Sequence, residues 1–373
     1  MKIAVLGASG FVGGHLLRFL RANGLDARAI VRRPPAGPDP DYRVADACDV
    51  YALREAMTGC DYVVHAALGS DDVITGSVAP LYAAAEAVGI RRLIYMSSGS
   101  VHGQSPAQGT NESSRLSARQ AFSYNNAKVR AERSLKRLRD RGTVELVILR
   151  PTIVFGPGSR WVYDFADQLL RGRAYVVDGA NGVCNSIYVD NLSHAVTLAL
   201  TTPGIDGEAF LLSDAEHVRW RDLFRPIAAA YGVDLDCVPS VSPAPAPQPT
   251  LKQRYIEPIR TSPLARTAMH LMPRDAKDAV KRAVRRLRSL VGGGQPPIVT
   301  SQSPIVSPQT RHEPQASDVP SEIAALQRCQ WRLPYDKAAR MLGYAPPVPF
   351  AEGCRRSIEW LNARDTNTPR LAS

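Results

Sequence analysis

The stretch that most constrains this chain is its first thirteen residues, Met1-Lys2-Ile3-Ala4-Val5-Leu6-Gly7-Ala8-Ser9-Gly10-Phe11-Val12-Gly13. The apolar run from Ile3 to Leu6 is long enough for one buried strand and too short for a helix. It breaks into three glycines spaced G-x-x-G-x-x-G, after which Phe11, His15, Leu16, Phe19 and Leu20 recur at helical spacing. Strand, glycine turn and helix in that order make a pyrophosphate site. Glycine lets the backbone turn tightly and approach a ligand, and the helix start presents unpaired N–H groups with a partial positive charge. The spacing alone is common. Its position between a strand and a helix is what predicts a dinucleotide held by Gly7, Ser9, Gly10, Phe11, Val12 and Gly13.

The same alternation continues through the first half. Residues 27–31, 42–44, 62–66, 93–96 and 145–149 read as further strands, and 50–57, 80–88 and 117–141 as helices. Strands separated by helices pair in parallel with helices on both faces, so the expected class is α/β, a doubly wound parallel sheet over residues 1–150. From Pro151 the pattern becomes mixed: helices at 161–171, 191–200 and 220–231, strands at 174–177 and 209–212. This reads as a smaller mixed lobe over 151–238 that returns at 326–362, where a helix is expected at 350–361. The interval 239–325 reads as an insertion. Its flanks are rich in Pro, Ser and Gln and cannot build a core, so they are expected to act as linkers.

Within the insertion, residues 275–291 form an amphipathic pattern. Ala276, Ala279, Val280, Ala283, Val284, Leu287, Leu290 and Val291 make the apolar face, and Lys277, Lys281, Arg282, Arg285, Arg286 and Arg288 the other. The segment 252–292 holds eleven basic residues against three acidic ones, which accounts for most of the net charge of +11 in 373 residues. The charge therefore belongs to one local element, and no aromatic residues interleave with the basic ones of 275–291, so nucleic acid is not expected as a partner. Peripheral contact with an anionic membrane surface is the functional reading of that helix, and a solvated helix packed on the lobe the bland one. No apolar run of about 18 residues occurs, so no membrane span is expected. The strand at Ile3 leaves no room for a leader, and the six cysteines contain no C-x-x-C pair; both suggest a cytoplasmic chain with reduced thiols and no metal site.

Three features bear on function, one of them Leu149-Arg150-Pro151 running to Gly156-Pro157-Gly158, a strand leaving the sheet toward the second lobe. Ser97 and Ser98 directly follow the fifth strand, where ligands of open parallel sheets bind. Tyr124 and Lys128 stand four apart on the next helix, on one face, and a cation beside a phenol stabilises the phenolate. Each is ordinary alone; their order after the glycine turn makes them a set.

That set resembles the extended short-chain dehydrogenase/reductase superfamily, the NAD(P)-dependent epimerase/dehydratase group, which has a Rossmann sheet and a substrate lobe. The matching residues are Gly7, Gly10 and Gly13; Val64-His65-Ala66-Ala67; Ser98 to Gly103; Tyr124 with Lys128 and Glu132; Leu149-Arg150-Pro151; Tyr188-Val189-Asp190-Asn191; and 340–344 with Gly353 and Trp360. The resemblance implies Tyr124 as general acid/base, Lys128 binding the nicotinamide ribose and lowering the tyrosine pKa, and Ser98 on the reacting oxygen. It also implies cofactor contacts at Asp46, Ala66, Ala67 and Pro151. Arg32 and Arg33 stand after the second strand where an acid would suit NAD, which favours NADP(H), with NAD as the alternative.

Some positions depart from the sugar-nucleotide members. Cys184 stands where they carry an arginine for the diphosphate, Ile74 where they carry an asparagine, and His102 where they carry a tyrosine. The first expectation is an oxidoreductase or epimerase acting on a sugar hydroxyl or ketone. The alternatives are a dehydrogenase of a lipid-borne or sterol-like alcohol at a membrane surface, and a non-catalytic NADP(H) sensor. A small-molecule substrate is expected, and a homodimer is compatible with all three.

Overall fold

The computed structural model describes residues 1–34, 41–244 and 315–367. In chain order the strands are β1 (Lys2–Leu6), β2 (Asp26–Val31), β3 (Tyr42–Val44), β4 (Tyr62–His65), β5 (Arg92–Met96), β6 (Glu145–Pro151), β7 (Ile153–Phe155), β8 (Val176–Val177), β9 (Ser186–Tyr188), β10 (Ala209–Leu212) and β11 (Ser240–Val241). The α-helices before the insertion are α1 (Phe11–Ala22), α2 (Val50–Met57), α3 (Asp71–Gly76), α4 (Val78–Ala87), α5 (Ser123–Arg139), α6 (Arg160–Leu170), α7 (Val189–Thr201) and α8 (Trp220–Ala230). After it come α9 (Ser321–Gln327), α10 (Asp336–Leu342) and α11 (Phe350–Asn367).

Seven strands form one sheet in the order β10-β6-β5-β4-β1-β2-β3. All its pairs are parallel. The chain runs outward from β1 to β3 and then crosses back to set β4 on the other side of β1. Strand order reverses there, which opens a crevice past the carboxyl ends of β1 and β4.

Alternation along β1 shows why the strand reads as uniformly apolar. Ile3 and Val5 pack with Leu16, Leu20, Val196 and Leu342 on the face covered by α1, α7 and α10. Ala4 and Leu6 pack with Leu53, Leu81 and Ala131 on the opposite face, under α2, α4 and α5. Both faces are buried, so both sets of side chains must be apolar. Full burial of each large aliphatic among them contributes about 1.5–3 kcal/mol.

The second lobe has its own core of Phe155, Phe165, Tyr188, Trp220 and Phe224, with Phe165 stacked on Phe224 at 4.1 Å between ring centroids. Here β7 and β9 pair in parallel. Neither is legible from alternation, because each has three residues.

The expected helix at 117–141 begins only at Ser123. Asn126 accepts from the Gln120 backbone N–H and donates to its carbonyl, and Gln120 Nε2 donates to Val101 O at 2.8 Å. These bonds hold the preceding segment as a loop folded over the end of β5. The expected helix at 80–88 begins earlier, at Val78, and α3 precedes it.

The segment read as an insertion is ordered at both of its ends. β11 pairs with β8, and Val241 buries with Val177, Val319 and Ala324. α9 follows Pro320. The chain divides into two units, 1–247 with 312–373, and 248–311. The second unit, with the basic stretch 275–291, lies outside the described residues. Among the described residues no helix is long and apolar enough to cross a membrane.

Candidate active site

The glycine turn lies in the crevice, between β1 and α1. Gly7 has φ +88°, and a Cβ there would stand 2.6 Å from the Ala67 backbone. A Cβ on Gly13 would stand 2.2 Å from the Gly7 carbonyl. The turn is closed by Gly10 N–H donating to Gly7 O at 3.0 Å. Only glycine fits at the first and third positions. Gly10, the N-cap of α1, supplies no side-chain cap, and the first turn carries no acid. The leading N–H groups, those of Phe11, Val12 and Gly13, are therefore not taken by a side chain, which fits a pyrophosphate. Ser9 and Gly10 are exposed.

Of the other expected cofactor contacts, Ala66 and Ala67 directly follow β4 and face the turn. Pro151 ends β6, buried beside Leu212. Arg32 and Arg33 are exposed just past the carboxyl end of β2, and Asp46 is exposed after β3, accepting from Cys48 N–H at 2.8 Å.

On the far side of the crevice, Tyr124 lies in the first turn of α5, hydrogen-bonded to Ser98 at the end of β5. Ser98 Oγ also accepts from Ser100 Oγ at 2.9 Å. Lys128, one turn on, is buried; its Nζ donates to Met96 O at 2.8 Å and lies 6.0 Å from the Tyr124 ring centroid. Burial pushes the Tyr124 phenol up, opposed by the Ser98 hydrogen bond and reinforced by the Glu322 charge. Burial pulls Lys128 down to about 8, against the Glu132 charge. The lowering of the phenol that the resemblance implied is therefore not found in this arrangement: the ammonium is directed at a backbone carbonyl, and desolvation dominates.

The neighbouring serine does different work. Ser97 Oγ donates to Glu132 Oε1 at 2.5 Å. Glu132 is in turn gripped by Arg150, with Nε–Oε1 at 3.0 Å and Nη2–Oε2 at 2.7 Å, both side chains about fully buried. This ion pair locks α5 to β5 and β6 and so sets where Tyr124 and Lys128 stand. His102 lies 3.3 Å from Arg150 Nη1, and burial beside that cation lowers it to about 4.

Between the two lobes of the first unit, Ser98 and Tyr124 open into a cleft of ≈ 490 Å³. Its apolar lining includes Leu68, Pro106, Trp161, Ile323, Leu326 and Leu333. The charged side chains that line it are Arg160 and Glu322. Arg160 is exposed, 3.6 Å from Asp164. Cys184 and Ile74 are buried in hydrophobic clusters and do not line the cleft. Sequence reasoning missed Glu322 because it lies in the stretch read as an insertion; the Pro320-Ser321-Glu322 helix start was the signal available.

The profile of the NAD dependent epimerase/dehydratase family matches residues 3–212. A 3 beta-hydroxysteroid dehydrogenase/Delta 5-->4-isomerase of Mycobacterium tuberculosis is 28% identical over 258 residues, 62% of this chain and 70% of that protein. A 4-hydroxy-2-methyl-3-oxo-4-farnesyl-3,4-dihydroquinoline-1-oxide ketoreductase of Stigmatella aurantiaca is 26% identical, covering 74% of this chain and 87% of its own length. Among solved structures, a double mutant of a dTDP-glucose 4,6-dehydratase from Streptomyces venezuelae, with NAD bound, superposes at a TM-score of 0.66. It is 19% identical, with 98% of each chain covered, and shares the fold.

Proposed function

This chain belongs to the NAD dependent epimerase/dehydratase family and is an NAD(P)-dependent enzyme of the extended short-chain dehydrogenase type, and from that premise we propose that it interconverts a ketone and a secondary alcohol on an apolar, unphosphorylated substrate. The observation that carries this reading is the cleft: a Ser98–Tyr124 pair set in a wall of mainly apolar side chains, with no cation free of an acidic partner among the described lining residues.

The residues divide the work. Gly7, Ser9, Gly10, Phe11, Val12 and Gly13 hold the pyrophosphate on the start of α1. Asp46 would meet the adenine, and Ala66, Ala67 and Pro151 would hold the nicotinamide end. Arg32 and Arg33 receive a 2′-phosphate, which makes NADP(H) the preferred form. When bound, the nicotinamide supplies or accepts a hydride. Tyr124 gives its proton to the carbonyl oxygen during reduction and takes it back during oxidation. Burial keeps the phenol protonated at neutral pH, the form that reduction needs. Ser98 hydrogen-bonds the same oxygen and orients it, and Lys128, 6.0 Å from the Tyr124 ring centroid, would hold the ribose.

A nucleoside diphosphate sugar brings two negative charges. In this cleft they would meet Glu322, with Arg160 turned to Asp164. The steroid and quinoline-oxide relatives are named for substrates of the apolar kind. Membrane contact through 275–291 rests on the sequence alone and would suit a lipid-like substrate. Steady-state reduction of neutral apolar ketones tests the reading. We expect turnover with NADPH, a preference over NADH that falls about tenfold in an Arg32→Ser, Arg33→Ser variant, and no turnover of UDP-glucose. Conversion of UDP-glucose with none of the ketones would reverse the substrate assignment.

A further inference from the structure

We propose that Glu322 selects the substrate: its carboxylate receives a hydrogen-bond donor, an ammonium or hydroxyl, carried by the otherwise apolar ketone or alcohol, and turns phosphate-bearing analogues away. This rests on the reading of the cleft as an alcohol–ketone site.

Glu322 is held in place from behind. Ala324 of α9 buries with Val177, Val241 and Val319, and Gln327 Oε1 accepts from Val177 N–H at 3.2 Å. Those contacts fix α9 so that Glu322, Ile323 and Leu326 form one wall of the cleft. Glu322 Oε1 accepts from Gln104 Nε2 at 2.7 Å, tying α9 to the loop after β5. Among the described residues Oε2 has no hydrogen-bond partner. The side chain is half-buried in an apolar wall, where a carboxylate has lost part of its hydration and recovers it best from a donor.

Position matters as much as charge. The carboxylate is close enough to Tyr124 for its charge to act on the phenol. A substrate with its carbonyl at Tyr124 therefore spans to Glu322 within one cleft. A phosphate placed there would face like charge in a partly desolvated site, where Coulomb terms are larger than in water. The cation lining the same cleft, Arg160, lies over the Trp161 ring at 5.2 Å and beside Asp164, on the exposed rim.

The test uses four cyclohexanones bearing a heptyl chain that ends in methyl, hydroxyl, ammonium or phosphate. KM with NADPH and Kd from quenching of tryptophan fluorescence (Trp161 lines the cleft) are measured for the wild type and Glu322→Gln. In the wild type, the ammonium and hydroxyl compounds should bind at least about tenfold tighter than the phosphate. Glu322→Gln should shrink the ammonium-to-phosphate ratio by a similar factor. High salt should narrow it in the wild type, where a second measurement is free of any folding defect in the variant. A wild-type preference for phosphate, or a ratio unmoved by both Glu322→Gln and salt, would overturn the inference. Binding that discriminates without turnover of any ketone leaves Glu322 standing and removes the alcohol–ketone reading. Turnover with an unaltered ratio does the reverse.

Discussion

Glu132 touches neither the cleft nor the glycine turn, yet the site depends on it. It joins Ser97, Arg150 and, through α5, both Tyr124 and Lys128. Breaking a buried ion pair by removing one partner strands the other charge, at a cost of about 3–5 kcal/mol. Glu132→Gln should therefore lower stability by about that amount, read from denaturant unfolding monitored by tryptophan fluorescence. A loss below about 1 kcal/mol would mean that Arg150 finds another acceptor. As hydroxyls after a strand Ser97 and Ser98 are equivalent, and only the family resemblance singled out Ser98. The fold supplies the physical reason: at the strand end Ser97 turns to Glu132 while Ser98 meets Tyr124 and the cleft. Glu322 was passed over for a different reason, since its seven-residue helix directly follows a stretch rich in Pro, Ser and Gln.

At the level of elements, the turn between β1 and α1 was readable to the residue, because glycine there answers to backbone geometry alone. Gly13→Ala sets a Cβ against the Gly7 carbonyl at 2.2 Å. The first turn of α1 must then move away from β1, so NADPH binding should fall at least tenfold in a fluorescence titration, about 1.4 kcal/mol or more. Binding at wild-type strength would show that the turn does not hold the cofactor. The start of α5 was misplaced because residues 117–122 have helical composition while Asn126 and Gln120 satisfy their backbone groups as a loop. A hydrogen-bond exchange between distant side chains leaves no periodic trace. β9 was missed because three residues cannot display a period of two.

For the molecule as a whole, the doubly wound sheet was legible because both of its faces are covered and its strands are apolar throughout. The second lobe was less so: its strands are short and its core is assembled from segments far apart in sequence, such as α6, α8 and α11. The same burial makes stability depend on pH. His65 is buried at the end of β4, and desolvation with the nearby Lys128 charge lowers it to about 3; His102 is lowered to about 4. Between those values and the ordinary histidine value near ~6.5, the unfolded chain binds protons that the folded chain does not. Their contribution is thus fully present above ~6.5 and lost as pH falls toward 3–4. The melting temperature should drop on acidification below ~6.5, with a shallower slope in His65→Gln. An unchanged slope in that variant would show that other groups govern acid unfolding.

The reaction assigned to this chain is hydride exchange at a carbon whose oxygen Tyr124 protonates. Its most direct measurement uses NADPH deuterated at the transferring position, an apolar ketone, and mass spectrometry of the product. One deuterium is expected in the alcohol with the wild type, and a rate lower by about 10²–10⁴ with Tyr124→Phe at unchanged NADPH affinity. Equal deuterium transfer by both proteins would contradict the role given to Tyr124. Tight NADPH binding with no transfer to any substrate would make the chain a binder of the cofactor and not a catalyst.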